Sequence, residues 1–281
     1  MTAYKIEDLS MTLGGRRRRV EALSGLNLVV EERARWGIVG ESGAGKSTLL
    51  KILAGLVAPT AGRLECLGQP VDVHDRESLA RLRMNVQMVF QDPRSSLNPR
   101  MRIGNIVSEP LQSPLLKGRA GVPADHGARV AEVLEAVGLP ASAARQYPHE
   151  FSGGERQRIA LARALAPNPA ILLADEPVSA LDVSVRATVL NLLNDLVDSM
   201  GLTLVMVTHD LSVVHHTCDH MGVLKAGQLV ESGATATVMS EPAHPYTKEL
   251  LASRHQADRV RKPGGTWQNV SNESTSVGEH P

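Results

Sequence analysis

Eight residues, GESGAGKS at Gly40–Ser47, fit G-x-x-x-x-G-K-[ST] without exception. A run of this kind can hold a triphosphate. Its glycines let backbone N–H groups close around phosphate oxygens, Lys46 brings a point charge to the β- and γ-phosphates, and Ser47 offers a hydroxyl to Mg²⁺. The candidate cradle comprises Gly40, Glu41, Ser42, Gly43, Ala44, Gly45, Lys46, Ser47 and Thr48. Alone, it specifies nucleoside triphosphate binding and nothing further.

Other residues have the types that triphosphate hydrolysis needs. The run AILLADEP ends in two acids. Asp175 is placed as the Mg²⁺-side carboxylate, directly or through water, and Glu176 as the group that polarises an attacking water. An isolated Asp-Glu pair is commonly a helix cap followed by a solvated glutamate, a reading that weakens once a phosphate cradle shares the chain. His209, in LVMVTHD, closes another apolar run. A lone histidine there is more often structural, but beside a triphosphate its N–H can contact the γ-phosphate and hold the water and Glu176 in line. Gln91 can reach Mg²⁺ or the water from one side, the plainer reading being a turn glutamine. A second anion-binding feature appears in HEFSGGERQRIALARAL, where Ser152, Gly153 and Gly154 open a basic, apolar-periodic helix with unpaired N–H groups. One modest chain has no evident need of two such features.

These residues require a scaffold that delivers them to one place. LNLVVEERARWGIVG reads as short β-rich runs ending at Gly40, and STLLKILAGL as a helix, the strand–turn–helix context a phosphate loop demands. MNVQMVFQ is a short strand stopped by the turn-rich loop DPRSSLNP. From Asn105 to Ala166 the pattern is mainly helical, as in GARVAEVLEAVGL. Strands return with AILLADEP and LTLVMVTHD, separated by the helical VSVRATVLNLLNDLVDSM. An apolar strand ending in acid sets its charge at the carboxyl edge of a parallel sheet, where such folds bind ligands. The expected architecture is an α/β core interrupted by a helical insertion over about 92–166, with a polar, mobile tail over 256–281.

The totals exclude several classes. Thirty basic residues balance thirty acidic ones, unlike a DNA-coating protein, and no nucleic acid partner is expected. The cysteines Cys66 and Cys218 form no disulfide framework, which fits a reducing compartment. MTAYKIEDLS lacks the basic and apolar regions of a signal peptide, and no apolar run reaches the length of a membrane span, about 18–20 residues. A membrane role would then pass through a partner. Three tempting sites are set aside. HHTCDH, from His215 to His220, places only His216 and His220 on one face if it is a helix. Arg16 to Arg19 read as a solvated turn, and NVS and NES as glycosylation acceptors that a cytosolic chain would not use.

GESGAGKS, VFQD, FSGGERQR, LLADEP, SALD and VTHD, in this order and spacing over about residues 3–235, resemble the ATPase subunit of ABC transporters. The resemblance implies a P-loop NTPase core of ABC type within residues 3–255, with an N-terminal β-rich subdomain, the inserted helical subdomain, and ATP and Mg²⁺ as ligands. It also implies that two subunits pair head to tail, with Ser152, Gly153 and Gly154 of one closing on the γ-phosphate bound by the other. The second anion site then belongs to the partner's ATP, and Asp182 of SALD lies in the loop that crosses the interface. ATP acts as glue in such a pair, and hydrolysis releases it.

VFQDPRSSLNPRM, SEPL, DEPVSALDVSVRATVLNLLNDL and HPYTKELL are similar to the peptide, opine and nickel uptake branch of that family, over most of the chain to Leu251. That branch implies a location on the cytoplasmic membrane face. It also implies two transmembrane permease subunits, an extracytoplasmic solute-binding protein, and either a second, homologous ATPase or a homodimer. The alternative is an accessory ATPase of a soluble complex such as phosphonate-degrading lyase machinery. Four features depart from the pattern: Leu13 where an adenine-stacking aromatic is usual, Glu155 for glutamine, Arg33 for a turn glycine, and no C-terminal cysteine cluster.

Overall fold

The computed structural model describes residues 1–14 and 19–260. The chain opens with β1 (Thr2–Leu13) and β2 (Val20–Glu31), then β3 (Arg35–Val39), α1 (Lys46–Leu53), β4 (Ala61–Cys66) and β5 (Gln69–Pro70). After α2 (Arg76–Asn85) and β6 (Val86–Val89) come four helices without an intervening strand: α3 (Pro93–Ser96), α4 (Ile103–Ser108), α5 (His126–Ala136) and α6 (Gly153–Leu165). Then follow β7 (Ile171–Asp175), α7 (Val183–Met200), β8 (Thr203–Thr208), α8 (Leu211–Thr217), β9 (His220–Lys225), β10 (Gln228–Ala234), α9 (Thr235–Ser240) and α10 (Pro245–Val260).

Two sheets result. One is antiparallel, in the order β2-β1-β4-β5; the other runs β10-β9-β3-β8-β7-β6 and is parallel except for the edge strand β10. ILLAD and TLVMVT are buried at every position, because helices cover both faces of a parallel sheet. β1 and β2 instead alternate, with one face on the core and one in solvent. The mixed α/β fold follows from these two strand grammars. The apolar residues form two clusters. One joins Val39 and Leu172 to the helices between β6 and β7, and the other joins the antiparallel sheet to Leu49, Leu50 and Leu53 of α1.

Several expectations change in detail. DPRSSLNP is not all loop, because Pro93 starts the single turn of α3, where a missing N–H costs nothing. Arg33 takes the left-handed conformation a glycine would supply, at φ 65°, and its N–H donates to Thr203 Oγ1 at 2.8 Å. HHTCDH does not continue as a helix: α8 ends at Thr217 and His220 belongs to β9, so His216 and His220 share no helical face. His216 Nε2 lies 3.0 Å from Asn191 Oδ1, while His220 stacks on Trp36 at 5.1 Å between ring centroids. α10 runs to Val260, past the boundary placed at 255. Residues 15–18, with three of the four arginines, and 261–281, with NVS, NES and most of the expected tail, lie outside the described residues. Among the described residues no helix is long and apolar enough to cross a membrane.

Candidate active site

Strand order decides where the chemistry gathers. β3, β8, β7 and β6 are adjacent and parallel, with Val39 opposite Thr208, Asp175 opposite Val207, and Val89 opposite Ala174. The residues just past their carboxyl ends therefore meet at one edge: the Gly40–Ser47 loop after β3, His209 after β8, Glu176 after β7 and Gln91 after β6.

The phosphate loop is preformed. Gly45, at φ 106°, caps α1, and a Cβ there would stand 2.3 Å from the Ala22 carbonyl, so no other residue fits without moving β2. Lys46 is 7 % exposed, and its Nζ donates to the Gly40 and Glu41 carbonyls at 2.7 and 2.8 Å. Burial lowers its pKa, and the nearby Glu176, Asp175 and Glu41 oppose that shift. An ammonium held only by loop carbonyls is ready for a stronger anionic partner. Thr48 follows in the first turn of α1, while Glu41 and Ser42 stand exposed at the loop's rim.

Ser47 Oγ donates to Asp175 Oδ1 at 3.1 Å, joining the loop to the end of β7. Asp175 is buried, and that burial raises its carboxyl above the usual range, with Ser47 opposing and Glu176 reinforcing the shift. A hydroxyl beside a buried carboxylate is a pair of hard oxygen donors of the kind Mg²⁺ takes. The residues present fit that ion.

Glu176 is the hub. Its Oε2 accepts from Gln91 Nε2 at 3.0 Å, and its Oε1 lies 2.9 Å from His209 Nδ1. Its backbone sits in the left-handed region at φ 44°, a conformation that costs a side-chain-bearing residue about 1–2 kcal/mol. Three bonds hold it there: its N–H donates to Val207 O at 2.9 Å, and its carbonyl accepts from Ser179 N and Oγ at 3.1 and 3.0 Å. The turn thereby directs the carboxylate away from the sheet axis and toward the residues after β6 and β8.

Ser152, Gly153 and Gly154 form a separate set at the start of α6. Ser152 caps the helix, and its N–H and Oγ both donate to Glu155 Oε2, at 2.8 and 2.7 Å. These bonds hold the Glu155 carboxyl below its usual range. Gly154 is required for packing: a Cβ would meet Val185 Cγ1 of α7 at 2.4 Å, and overpacking of this kind costs about 1–3 kcal/mol. Asp182 precedes α7, exposed, with no side-chain capping bond. The structure thus forms two hydrogen-bonded sets, Ser47 with Asp175 and Gln91 and His209 with Glu176, joined through the adjacent acids beside Lys46, and leaves Ser152–Gly154 and Asp182 outside them.

The chain matches the ABC transporter family over residues 23–179, more than half its length. It belongs to the ABC transporter family. A peptide import ATP-binding protein of Brucella abortus is 46% identical over 253 residues, covering 90% of this chain and 75% of that one. The dipeptide transport ATP-binding protein DppF of Haemophilus influenzae is 46% identical over 236 residues, covering 84% and 71%. Among solved structures, the dimeric ATP-binding cassette MJ0796 bound to ADP and Pi superposes with a TM-score of 0.71 at 32% identity, covering 83% of this chain and 98% of that one. For cbiO1 of Clostridium perfringens, part of the complex cbiONQ, the TM-score is 0.73 at 26% identity, with 92% and 97% covered.

The ATPase also has a working contact that sequence reasoning missed. Arg186 Nη1 pairs with Asp210 Oδ2 at 3.0 Å, and its N–H donates to the Asp182 carbonyl at 2.8 Å. Asp210 also caps α8 through Ser212 N–H, and its carboxyl lies below the usual range despite its burial. Arg186 therefore ties the loop at Asp182 to the residue after His209. The available signal was the spacing: Arg186 is one helical turn past Asp182, and Asp210 adjoins His209.

Proposed function

We propose that this ATPase is the nucleotide-hydrolysing subunit of a membrane importer for peptides or a related small solute such as nickel, working on the cytoplasmic face. The supporting observation is the 46% identity, over most of both chains, to proteins named for peptide import and dipeptide transport. ATP occupies the Gly40–Thr48 loop, with Lys46 leaving its two carbonyl partners for the β- and γ-phosphates. Ser47, Gln91 and Asp175 are the residues that would hold Mg²⁺, which would supply neutralisation of phosphate charge. Glu176 takes the proton from the attacking water, and His209 and Gln91 hold its carboxylate in line. Ser152, Gly153, Gly154 and Asp182 act across an interface, on ATP bound by a second ATPase of the same kind or a second copy of this chain. Their separation from the Glu176 constellation supports that assignment.

A groove of about 880 Å³ separates the α/β core from the helices that follow Gln91, lined by Leu56, Met88, Phe90, Pro110 and Leu116 among others. Leu56 and Phe90 are exposed there. Its mixed lining, apolar at Leu56, Met88 and Phe90 and charged at Arg83, Glu109 and Arg163, suits an amphipathic segment of a permease, and Phe90 adjoins Gln91, so a seated segment acts directly on the chain that carries Gln91. Two such permeases, two ATPases and an extracytoplasmic solute-binding protein make the complete assembly in this reading.

The test is affinity purification of the tagged chain from detergent-solubilised native membranes, with partners identified by mass spectrometry. Recovery of two permeases supports import, and ligand screening of the associated binding protein then names the cargo. Recovery of soluble enzymes alone overturns it in favour of an accessory ATPase of a soluble complex.

A further inference from the structure

The run HPYTKELL has no role in the chemistry described so far, yet it reaches the phosphate loop. Glu231 of β10 accepts from the N–H groups of Ala243 and His244, at 2.7 and 3.0 Å. His244 Nδ1 accepts from the N–H of Tyr246 at 3.1 Å, fixing the first turn of α10. Tyr246 is 4 % exposed, and the Lys225 ammonium lies over its ring, 4.4 Å from the centroid. Its hydroxyl accepts from the N–H of Glu41 at 3.2 Å. Nearby, Gly227 N–H donates to the Ala44 carbonyl at 2.9 Å, so the loop is strapped from the C-terminal side at two points.

The peptide unit that Tyr246 grips joins Gly40 to Glu41. Its N–H is held by the phenol, while its carbonyl oxygen, Gly40 O, takes the Lys46 ammonium at 2.7 Å. The two groups of one planar amide point in opposite directions, so a tilt imposed at the N–H swings the carbonyl and the ammonium resting on it. The plainer alternative is that Tyr246 only packs α10 against the core. A buried phenol needs a partner for its oxygen, but packing alone does not require that partner to be a phosphate-loop amide, nor a chain of hydrogen bonds from Glu231 through His244 to fix the ring.

We propose that Tyr246 is a positioning residue for nucleotide binding, setting through the Gly40–Glu41 peptide where Lys46 sits, with His244 and Glu231 holding Tyr246 in place. The inference rests on Lys46 binding phosphate and not on the importer reading. It makes the segment from Ala243 to Tyr246 part of the phosphate site, although that segment lies some two hundred residues away in sequence.

The experiment measures Mg·ATP affinity by calorimetric titration of the full chain, together with the thermal unfolding midpoint without nucleotide. Tyr246→Phe removes one oxygen and keeps the ring under Lys225. Its affinity falls about fivefold, because the preset orientation of the Gly40–Glu41 peptide is lost, while the nucleotide-free midpoint falls only by the few degrees, about 2–4 °C, that one lost hydrogen bond explains. His244→Asn, whose amide oxygen can take the place of Nδ1, binds as the wild type does, whereas His244→Ala weakens binding. Unchanged affinity in Tyr246→Phe overturns the inference. So does weakening that comes with a midpoint fall well beyond that of one hydrogen bond, the mark of general loosening. Lys46→Ala is the control for the underlying reading: wild-type affinity in that variant overturns Lys46 as the phosphate ligand and leaves the geometry of Tyr246 without its proposed consequence.

Discussion

The carboxylate of Glu176 holds two side chains at once, Gln91 through Oε2 at 3.0 Å and His209 through Oε1 at 2.9 Å. Facing a carboxylate, His209 Nδ1 carries its proton, which leaves Nε2 as the nitrogen for a second partner. To donate to a γ-phosphate from Nδ1, His209 has to release Glu176. The nucleotide-free constellation is therefore closed on itself, and a bound triphosphate has to compete for its members.

Replacing Glu176 by Gln removes the carboxylate proposed to activate water but keeps an acceptor for Gln91 and the backbone contacts to Val207 and Ser179. Turnover is expected to fall by about 10²–10⁴, the usual worth of a positioned general base, with ATP affinity retained. An ATP-dependent dimer should accumulate if hydrolysis opens the pair, as the proposed function requires. Phosphate release and light scattering check this together. Near-normal turnover would remove Glu176 from the base role.

His209→Ala frees one oxygen of Glu176 without touching the phosphate loop. ATP binding is expected to stay within about twofold and turnover to drop by about 10², because the orientation of the base is lost and the ATP-binding contacts are not. The discriminating quantity is kcat against KM. A rise in KM with kcat unchanged would make His209 a binding residue.

How much of this was legible in the sequence depends on range. The phosphate loop was readable because its determinants are local: an apolar strand, glycines at fixed offsets, then helix formers, all within residues 35–53. α7 was readable over Val183–Met200 from its period and its flanking Asp182 and Gly201. Local pattern failed where tertiary partners decide. His220 leaves the helical run because β9 pairs with β3 and its ring stacks on Trp36. The convergence of Gln91, Glu176 and His209 needs the strand order 3-8-7-6, which no periodicity encodes; the family resemblance supplied it. Tyr246 and Arg186 act through contacts 205 and 24 residues distant in sequence, and only the fold shows them.

Leu13 and Val20 pair at the end of β1 and the start of β2, both exposed, and β2 continues to Ala22 beside Gly45 of the phosphate loop. If adenine lies there, as the family resemblance implies, it meets aliphatic groups instead of a ring. Leu13→Tyr is expected to tighten ATP binding by about tenfold, since one base–aromatic stack is worth about 1–3 kcal/mol, and to increase the preference for ATP over CTP. Competition binding with the two nucleotides tests it. Equal gains for both would show that the added ring does not read the base.

Asp175 yields a prediction with opposite signs for stability and activity. Burial is the main reason its carboxyl titrates above its usual 3.8, with Ser47 opposing and Glu176 adding to the shift. A carboxyl raised in the folded state binds more protons folded than unfolded. Its contribution to stability is most favourable below 3.8 and declines as pH rises through the raised value. At neutral pH the bare charge therefore opposes folding of the nucleotide-free chain. Asp175→Asn removes that charge and keeps an oxygen for Ser47 Oγ. The nucleotide-free unfolding midpoint should rise at pH 7, with the gain shrinking as pH falls toward 4, while turnover drops by at least about 10² for want of a Mg²⁺-side carboxylate. Calorimetric scans across pH, paired with phosphate release, read both signs. A lower midpoint at pH 7 would mean that Ser47 and the nearby lysines outweigh burial, and that the site is stable before its ligand arrives.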